Sequence, residues 1–303
     1  MRCGVCCAAP MDEVVRTPED ALTDLPEFPF APHYRTRDGL RLAHRDEGDG
    51  APVIFLHGEP TWSFLWRTVI PPVRDAGFRC VAPDLAGFGA SDKPVDLGWY
   101  SYDRHTDLTA ALLEDLDVRD ATIVVHDWGG AIGLRIAVEQ PQRIARLVIL
   151  DTGLFTGRQQ MTDAWMAFYR FVARTEDLPV GLLVRRACKR DPGDVIAAAY
   201  DAPYPDVPSK AGARAFPLML AREPDAPGAA AGQRVQEALR EDRRPTLTLW
   251  ADSDPVFPLA VGEQFAASIG RPPPRPIADA SHFLQEDQGP LIGSLIAEWL
   301  LGG

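Results

Sequence analysis

The chain has 303 residues, of which 46% are hydrophobic and 24% charged, the ordinary balance of a folded globular protein, so global disorder is excluded. The formal net charge of −12, spread without a long block of one sign, argues against nucleic acid and anionic membranes as partners and favours a small neutral ligand. We find no apolar run of about eighteen residues and no signal-peptide pattern, and therefore expect a cytoplasmic protein that does not enter a membrane. We expect a monomer.

Three of the five cysteines, Cys3, Cys6 and Cys7, lie within the first ten residues. A structural metal site would need four ligands at workable spacing, and the nearest histidine is His33. We therefore interpret these cysteines as reduced thiols without a role. The pattern of a folded chain begins only after Met11, so we hypothesise that translation starts there, which the intact mass of the native protein tests.

Short apolar runs alternate with segments of helical spacing after a proline-containing arm. This alternation predicts a parallel sheet with helices on both faces. The runs that we interpret as strands are 53–57, 80–84, 121–127, 146–152, 246–251 and 275–280. Helical spacing follows in 102–116, 128–139 and 291–301.

The alternation is interrupted between Gly153 and about Pro227. Within this stretch 165–174 has helical spacing, and 200–208 contains several prolines. An insertion at this point would form a helical cap over the C-terminal edge of the sheet. We therefore predict an α/β core made of 1–152 and 229–303, with a cap of 153–228.

The strongest local motif is V-V-H-D-W-G-G at 124–130, where an apolar strand runs into Asp127 and a helix follows at once. This is the pattern of a nucleophile elbow, in which small neighbours allow a sharp turn and the nucleophile lies beside the positive end of the helix. A carboxylate at this position can displace a leaving group from carbon and form an alkyl-enzyme ester. The alternative is that Asp127 only caps the helix.

Three further features support a catalytic Asp127. In H-G-E-P-T-W at 57–62, the backbone N–H of Glu59 could bind an oxyanion together with that of Trp128. His282 follows the last predicted strand, where the order nucleophile, acid, histidine requires a base. A-D-S-D-P-V-F-P at 251–258 puts carboxylates on the preceding loop, ready to orient that histidine. We interpret the remaining histidines as structural.

With these motifs the chain resembles the haloalkane dehalogenases, in particular the branch with a second tryptophan in the cap. The similarity runs from about Arg16 to Trp299 and includes D-L-A-G-F-G-A-S-D-K-P at 84–94 and Y-D-A-P-Y-P-D at 200–206. The combination of H-G-E-P-T-W with H-D-W-G-G is more specific than either motif alone. The resemblance implies an α/β-hydrolase fold with a mostly parallel eight-stranded sheet and an inserted helical cap.

The resemblance also implies a reaction, in which Asp127 attacks a halogenated carbon and the indole N–H groups of Trp128 and Trp165 hold the departing halide. An indole suits this role because it donates a hydrogen bond without a counter-charge and keeps water away. The alternative for Trp165 is ordinary packing inside a helix. The substrate would be a small apolar halogenated compound, with water as the second reactant.

In the second half of that reaction His282 activates water to cleave the ester. Asp254 stabilises the imidazolium, and the amides of Glu59 and Trp128 stabilise the oxyanion. The resemblance implies no metal and no organic cofactor. Asp151, in V-I-L-D-T-G, lies where other branches of the family have their acid, so both carboxylates stay open; we favour Asp254 because its loop resembles that of this branch.

The nearest rival is an epoxide hydrolase, which uses the same aspartate but activates the ring oxygen with cap tyrosines. Tyr169, Tyr200 and Tyr204 leave this open, whereas Glu59 stands where epoxide-opening relatives usually have Phe. A fluoroacetate-type enzyme would need an arginine directly after the nucleophile, where this chain has Trp128. A non-catalytic ligand binder is the remoter alternative, and the presence of nucleophile, base and acid together argues against it.

Overall fold

The computed structural model describes residues 13–302. Cys3, Cys6, Cys7 and the question of a start at Met11 lie outside the described residues. In the described part no helix is long and apolar enough to cross a membrane. The same residues contain no group of three or more His, Cys, Asp or Glu side chains that could hold a metal ion.

An eight-stranded sheet forms the centre of the structure and confirms the predicted fold. Its strands are β2 (His33–Arg37), β3 (Leu40–Glu47), β4 (Pro52–Leu56), β5 (Arg79–Pro83), β7 (Ala121–His126), β8 (Ile144–Leu150), β9 (Thr246–Ala251) and β10 (Arg275–Ile277). They lie in the order β10-β9-β8-β7-β4-β5-β3-β2, and only β2 and β3 run antiparallel to their neighbours. A separate two-stranded sheet pairs β1 (Val14–Val15) with β6 (Lys93–Pro94).

The central strands are hydrophobic along their whole length because helices cover both faces of the sheet. Every residue of β7 is buried, as are four of the five residues of β4. Since all the parallel strands point the same way, their carboxyl ends meet at one edge. That edge places 57–62, Asp127, Asp151 and the loop after β9 close together.

The helices of the core are α1 (Ile70–Asp75), α2 (Tyr102–Asp115), α3 (Trp128–Glu139), α8 (Ala229–Glu241), α9 (Leu259–Ser268) and α10 (Leu284–Gly302). Between β8 and α8 lie four further helices, α4 (Asp163–Arg174), α5 (Val180–Ala187), α6 (Asp194–Asp201) and α7 (Ala211–Met219). These four lie within the predicted insertion of 153–228. The bounds of the three predicted segments stay a prediction.

The predicted strands differ from the structure in two places. The hairpin of β2 and β3 was absent from the predicted strands, because β2 is largely exposed and has no continuous apolar run. The strand predicted for 275–280 ends at Ile277, since only these three residues pair with β9. The C-terminal helix begins at Leu284 and is interrupted at Gln288, whose φ of −140° is not helical, and the part after this kink covers the predicted helix of 291–301.

Candidate active site

Asp127 lies between β7 and α3 with φ 49° and ψ −126°, a backbone conformation that an L-residue rarely adopts. Two hydrogen bonds hold this turn: the Asp127 amide donates to the Asp151 carbonyl (3.1 Å), and the Thr152 hydroxyl donates to the Asp127 carbonyl (2.5 Å). The Asp127 side chain forms no capping hydrogen bond with the helix that follows. The strained turn therefore presents a carboxylate rather than a structural cap.

Two positions beside Asp127 must be glycine, because any side chain there would collide with its neighbours. A Cβ on Gly58 would lie 2.2 Å from Oδ1 of Asp127, and a Cβ on Gly129 would lie 2.2 Å from the Leu56 carbonyl oxygen. Neither contact is possible, and in both cases backbone or a positioned carboxylate would have to move. The two glycines let the 57–62 loop and the start of α3 approach Asp127 closely.

The Asp127 carboxylate faces two backbone amides. Its Oδ1 accepts a hydrogen bond of 2.9 Å from the Glu59 N–H, and the Trp128 N–H is the second backbone amide that favours the charged carboxylate. Burial raises the pKa of Asp127, while His282 and these two amides act in the opposite direction and offset part of that rise. Since the Glu59 amide holds Oδ1, Oδ2, which faces His282, is the oxygen left to attack.

His282 lies against the same carboxylate from the loop after β10. Its Nδ1 is 2.9 Å from Oδ2 of Asp254, and its Nε2 is 3.9 Å from Oδ2 of Asp127. A carboxylate only accepts hydrogen bonds, so the proton of the neutral ring lies on Nδ1 and Nε2 presents its lone pair toward Asp127. Burial lowers the pKa of His282, but the charge and hydrogen bond of Asp254, with Asp127, outweigh it and raise the pKa overall.

Asp151, the other candidate acid, forms no hydrogen bond with His282 among the described residues. Its carboxyl accepts hydrogen bonds of 3.1 and 3.2 Å from the Ala251 N–H. Burial and the adjacent Asp254 charge raise the pKa of Asp151 well above its ordinary value. Within the described part of the chain, only Asp254 of the two carboxyls bonds His282.

A cavity of about 290 Å³ opens above Asp127, at the small end of ligand-site sizes. It is lined by Glu59, Pro60, Asp127, Trp128, Ala164, Trp165, Phe168, Leu183, Arg186, Ala187, Pro255, Val256, His282 and Phe283. A second cavity, of about 410 Å³, is lined by residues of 100–103 and 218–228 and contains none of the predicted site residues.

Both predicted halide donors line the smaller cavity. Trp128 begins α3 and is 4% exposed, and Trp165 lies in the first turn of α4 and is 5% exposed. Neither indole N–H bonds another residue within 13–302, so each is free to bind a ligand. Thr162 caps α4 and also bonds the Val256 carbonyl, which joins the helix that carries Trp165 to the loop that carries Asp254.

The three cap tyrosines of the epoxide hydrolase alternative do not line this cavity. Tyr169 stacks on Trp165 with ring centroids 5.4 Å apart, and its hydroxyl accepts from Arg222. The Tyr200 hydroxyl donates to Glu286. Tyr204 is buried, and its hydroxyl has no hydrogen-bond partner among residues 13–302. Nothing in this arrangement directs a phenol toward Asp127.

His126 donates a hydrogen bond from Nε2 to the His282 carbonyl at 2.8 Å, a contact that agrees with the structural role expected for it. Arg186 was not predicted as a site residue, although it lines the cavity from α5. No motif in the sequence pointed to Arg186, because it is distant in sequence from every predicted site residue.

Comparisons with known proteins bear on this site. A family described as the alpha/beta hydrolase fold matches residues 51–288. A haloalkane dehalogenase of Mycolicibacterium paratuberculosis is 41% identical over 296 residues, covering 94% of this chain and 98% of that protein. One from Mycobacterium marinum is 40% identical, covering 95% and 99%. The tetrameric structure of haloalkane dehalogenase DpaA from Paraglaciecola agarilytica is similar with a TM-score of 0.86 and 35% identity, covering 96% of this chain and 98% of that one.

Proposed function

Because this chain belongs to the haloalkane dehalogenase family of the α/β-hydrolase fold, we propose that it hydrolyses small apolar haloalkanes through an alkyl ester of Asp127. The products are a primary alcohol, a halide ion and a proton. The observation that carries this proposal is the Asp127 carboxylate, held at a strained turn opposite His282 on the floor of a cavity with two indole donors.

In the first step Oδ2 of Asp127 attacks the carbon that bears the halogen. A carbon–oxygen bond forms as the carbon–halogen bond breaks, and the halide leaves with the bonding electron pair. The indole N–H groups of Trp128 and Trp165 stabilise the charge that develops on the halogen. The cavity favours this because its remaining walls are mostly apolar.

In the second step Nε2 of His282 takes a proton from water, and the water oxygen attacks Cγ of the ester. The oxyanion that forms on Oδ1 is stabilised by the N–H of Glu59, which already bonds that oxygen, and by the N–H of Trp128. Collapse breaks the Cγ–Oδ2 bond, and the alcohol leaves with Oδ2 and with the proton held by His282. The carboxylic acid that remains then releases its own proton. Asp127 therefore retains one oxygen atom from water.

The activity is tested by supplying the purified protein with 1,2-dibromoethane and, separately, with styrene oxide. We expect bromide release from the first and no diol from the second. Diol without bromide would identify an epoxide hydrolase, and the absence of both products would favour a non-catalytic binder.

We predict that Trp165→Phe weakens halide binding and lowers kcat/KM for bromoalkanes on the order of 10- to 100-fold. The change removes one N–H donor to the developing halide and keeps an aromatic ring in the wall; such donors contribute about 10²–10³ where both charge and geometry are optimal. Bromide titration followed by tryptophan fluorescence, together with bromide-release kinetics, measures both effects. Trp99→Phe, which is remote from the cavity, is the matched control, and unchanged bromide affinity in Trp165→Phe would refute the assigned role.

We predict that Asp254→Asn lowers kcat by about 10²–10⁴. The protonated His282 ring cannot take a proton from water, so kcat falls on the acid side of its pKa. Once the ester has formed, Asp127 no longer carries charge, and Asp254 is the remaining group that raises the pKa of His282. Loss of Asp254 should therefore move the acid limb to lower pH.

Asp151→Asn is the matched control for that experiment, because among the described residues His282 bonds Asp254 and not Asp151, and an amide can still accept from Ala251. We expect its kcat to fall by less than about tenfold, with the acid limb unmoved. Full activity in Asp254→Asn with loss in Asp151→Asn would reverse the assignment.

The cellular location and the oligomeric state are further proposals. We propose that the protein is cytoplasmic and monomeric. Light scattering after size-exclusion chromatography tests the oligomeric state, and four copies, as in the DpaA structure, would overturn the proposal.

A further inference from the structure

We propose that Arg186 recognises an anionic group at the far end of the substrate, so that ω-haloalkanoates, in which the halogen and the carboxylate lie at opposite ends of an alkyl chain, are substrates. This inference rests on the proposed function and extends it to a substrate class. It concerns the mouth of the cavity, whereas the catalytic groups form its floor.

The orientation of α5 places Arg186 at this mouth. Leu183, Arg186 and Ala187 are spaced i, i+3 and i+4, which puts them on one face of the helix, and all three line the cavity above Asp127. Leu183 and Ala187 are partly buried, whereas Arg186 is exposed. The apolar side chains therefore line the wall, and the guanidinium lies where the cavity meets solvent.

Within residues 13–302, the side chain of Arg186 forms no ion pair and no hydrogen bond. Its neighbour Arg185 differs, because its guanidinium bonds both Asp191 and Asp194. The nearby Asp287 is occupied as well, since it accepts hydrogen bonds from the backbone N–H groups of Lys189 and Arg190. Arg186 is thus a cation at the cavity that the described carboxylates leave available to a ligand.

The charges along the cavity would orient such a substrate. Attack requires an ionised Asp127 at the floor, and this charge repels a carboxylate from that end. Arg186 attracts the carboxylate at the mouth, where a planar guanidinium can bind it with two hydrogen bonds. The carbon that bears the halogen is then the end that reaches Asp127. A very short haloacid cannot separate its two ends in this way.

The reaction is the same hydrolysis. With 6-bromohexanoate, the carbon–bromine bond breaks and bromide leaves as the ester with Asp127 forms. Water then cleaves the ester and gives 6-hydroxyhexanoate and a proton. No further reactant is needed. Because Arg186 contacts the carboxylate equally before and during attack, its contribution is expected in KM and not in kcat.

The test measures kcat and KM for bromide release from 6-bromohexanoate, 3-bromopropionate and 1-bromohexane. Arg186→Gln should lower kcat/KM for 6-bromohexanoate by about two- to fivefold, the range of an exposed ion pair, relative to its effect on 1-bromohexane. Arg186→Glu should lower kcat/KM for 6-bromohexanoate by about tenfold. Added salt should weaken the preference of the wild-type enzyme for 6-bromohexanoate over 1-bromohexane. Arg185→Gln is the matched control and should change neither substrate, and 3-bromopropionate should remain a poor substrate throughout.

Equal effects of Arg186→Gln on the charged and the uncharged six-carbon substrates would overturn the inference and leave the proposed function intact. The same holds if wild type releases bromide from 1-bromohexane but not from 6-bromohexanoate. Failure to release bromide from any of the three compounds would instead overturn the proposed function, and this inference with it.

Discussion

His282→Ala is expected to break one carbon–bromine bond per enzyme molecule and then stop, with the alkyl group retained on Asp127. The first step uses only the Asp127 carboxylate and the indole donors, and these remain in the variant. The second step loses the base that takes the proton from water. We expect kcat to fall by at least about 10³–10⁴ while a stoichiometric burst of bromide persists.

Rapid quenching of this variant with 1-bromohexane, followed by intact mass and peptide mapping, measures the trapped ester. The protein should gain the mass of one hexyl group, less one hydrogen, on the peptide that contains Asp127. His33→Ala, which changes a histidine on the exposed β2, is the control and should turn over normally without accumulating the adduct. A folded His282→Ala protein that shows neither burst nor adduct would refute the covalent mechanism.

Asp127→Asn is expected to abolish both the burst and the turnover, with kcat lowered by at least about 10⁴. A neutral amide is a poor nucleophile toward carbon, yet its oxygen can still accept the Glu59 N–H hydrogen bond and it has nearly the same volume. The turn and the cavity should therefore survive. Circular dichroism and thermal unfolding will report whether the fold is intact.

Two further measurements separate loss of the nucleophile from general damage to the site. The double variant Asp127→Asn with His282→Ala should gain no alkyl group, because the acceptor of the ester is absent. In wild type, a single turnover in ¹⁸O-labelled water should place the label on Asp127 and leave the first molecule of alcohol unlabelled. Label in that first alcohol would mean that water attacks the substrate directly and Asp127 is not alkylated.

The parallel sheet and the elbow were predictable because both depend on local patterns. Continuous apolar runs are typical of strands that are covered on both faces, and β7 and β9 begin at the predicted residues. Asp127 was recognisable because a nucleophile elbow requires its strand, its glycines and its helix within a few residues. The β2–β3 hairpin was not predictable in this way, because the exposed β2 gains its order from pairing with β3.

The sequence by itself determined the fold class and a family resemblance that the comparisons confirm, and it predicted Asp127, two candidate acids and His282 as the catalytic groups. Only the tertiary structure distinguished the two acids, because Asp254 and Asp151 both follow neighbouring parallel strands and differ in which group they face: His282 for Asp254, and the Ala251 amide for Asp151. The tertiary structure also showed that Trp165 and Arg186 line the same cavity. The positions of their side chains depend on how the cap helices pack on the core, which local spacing does not encode.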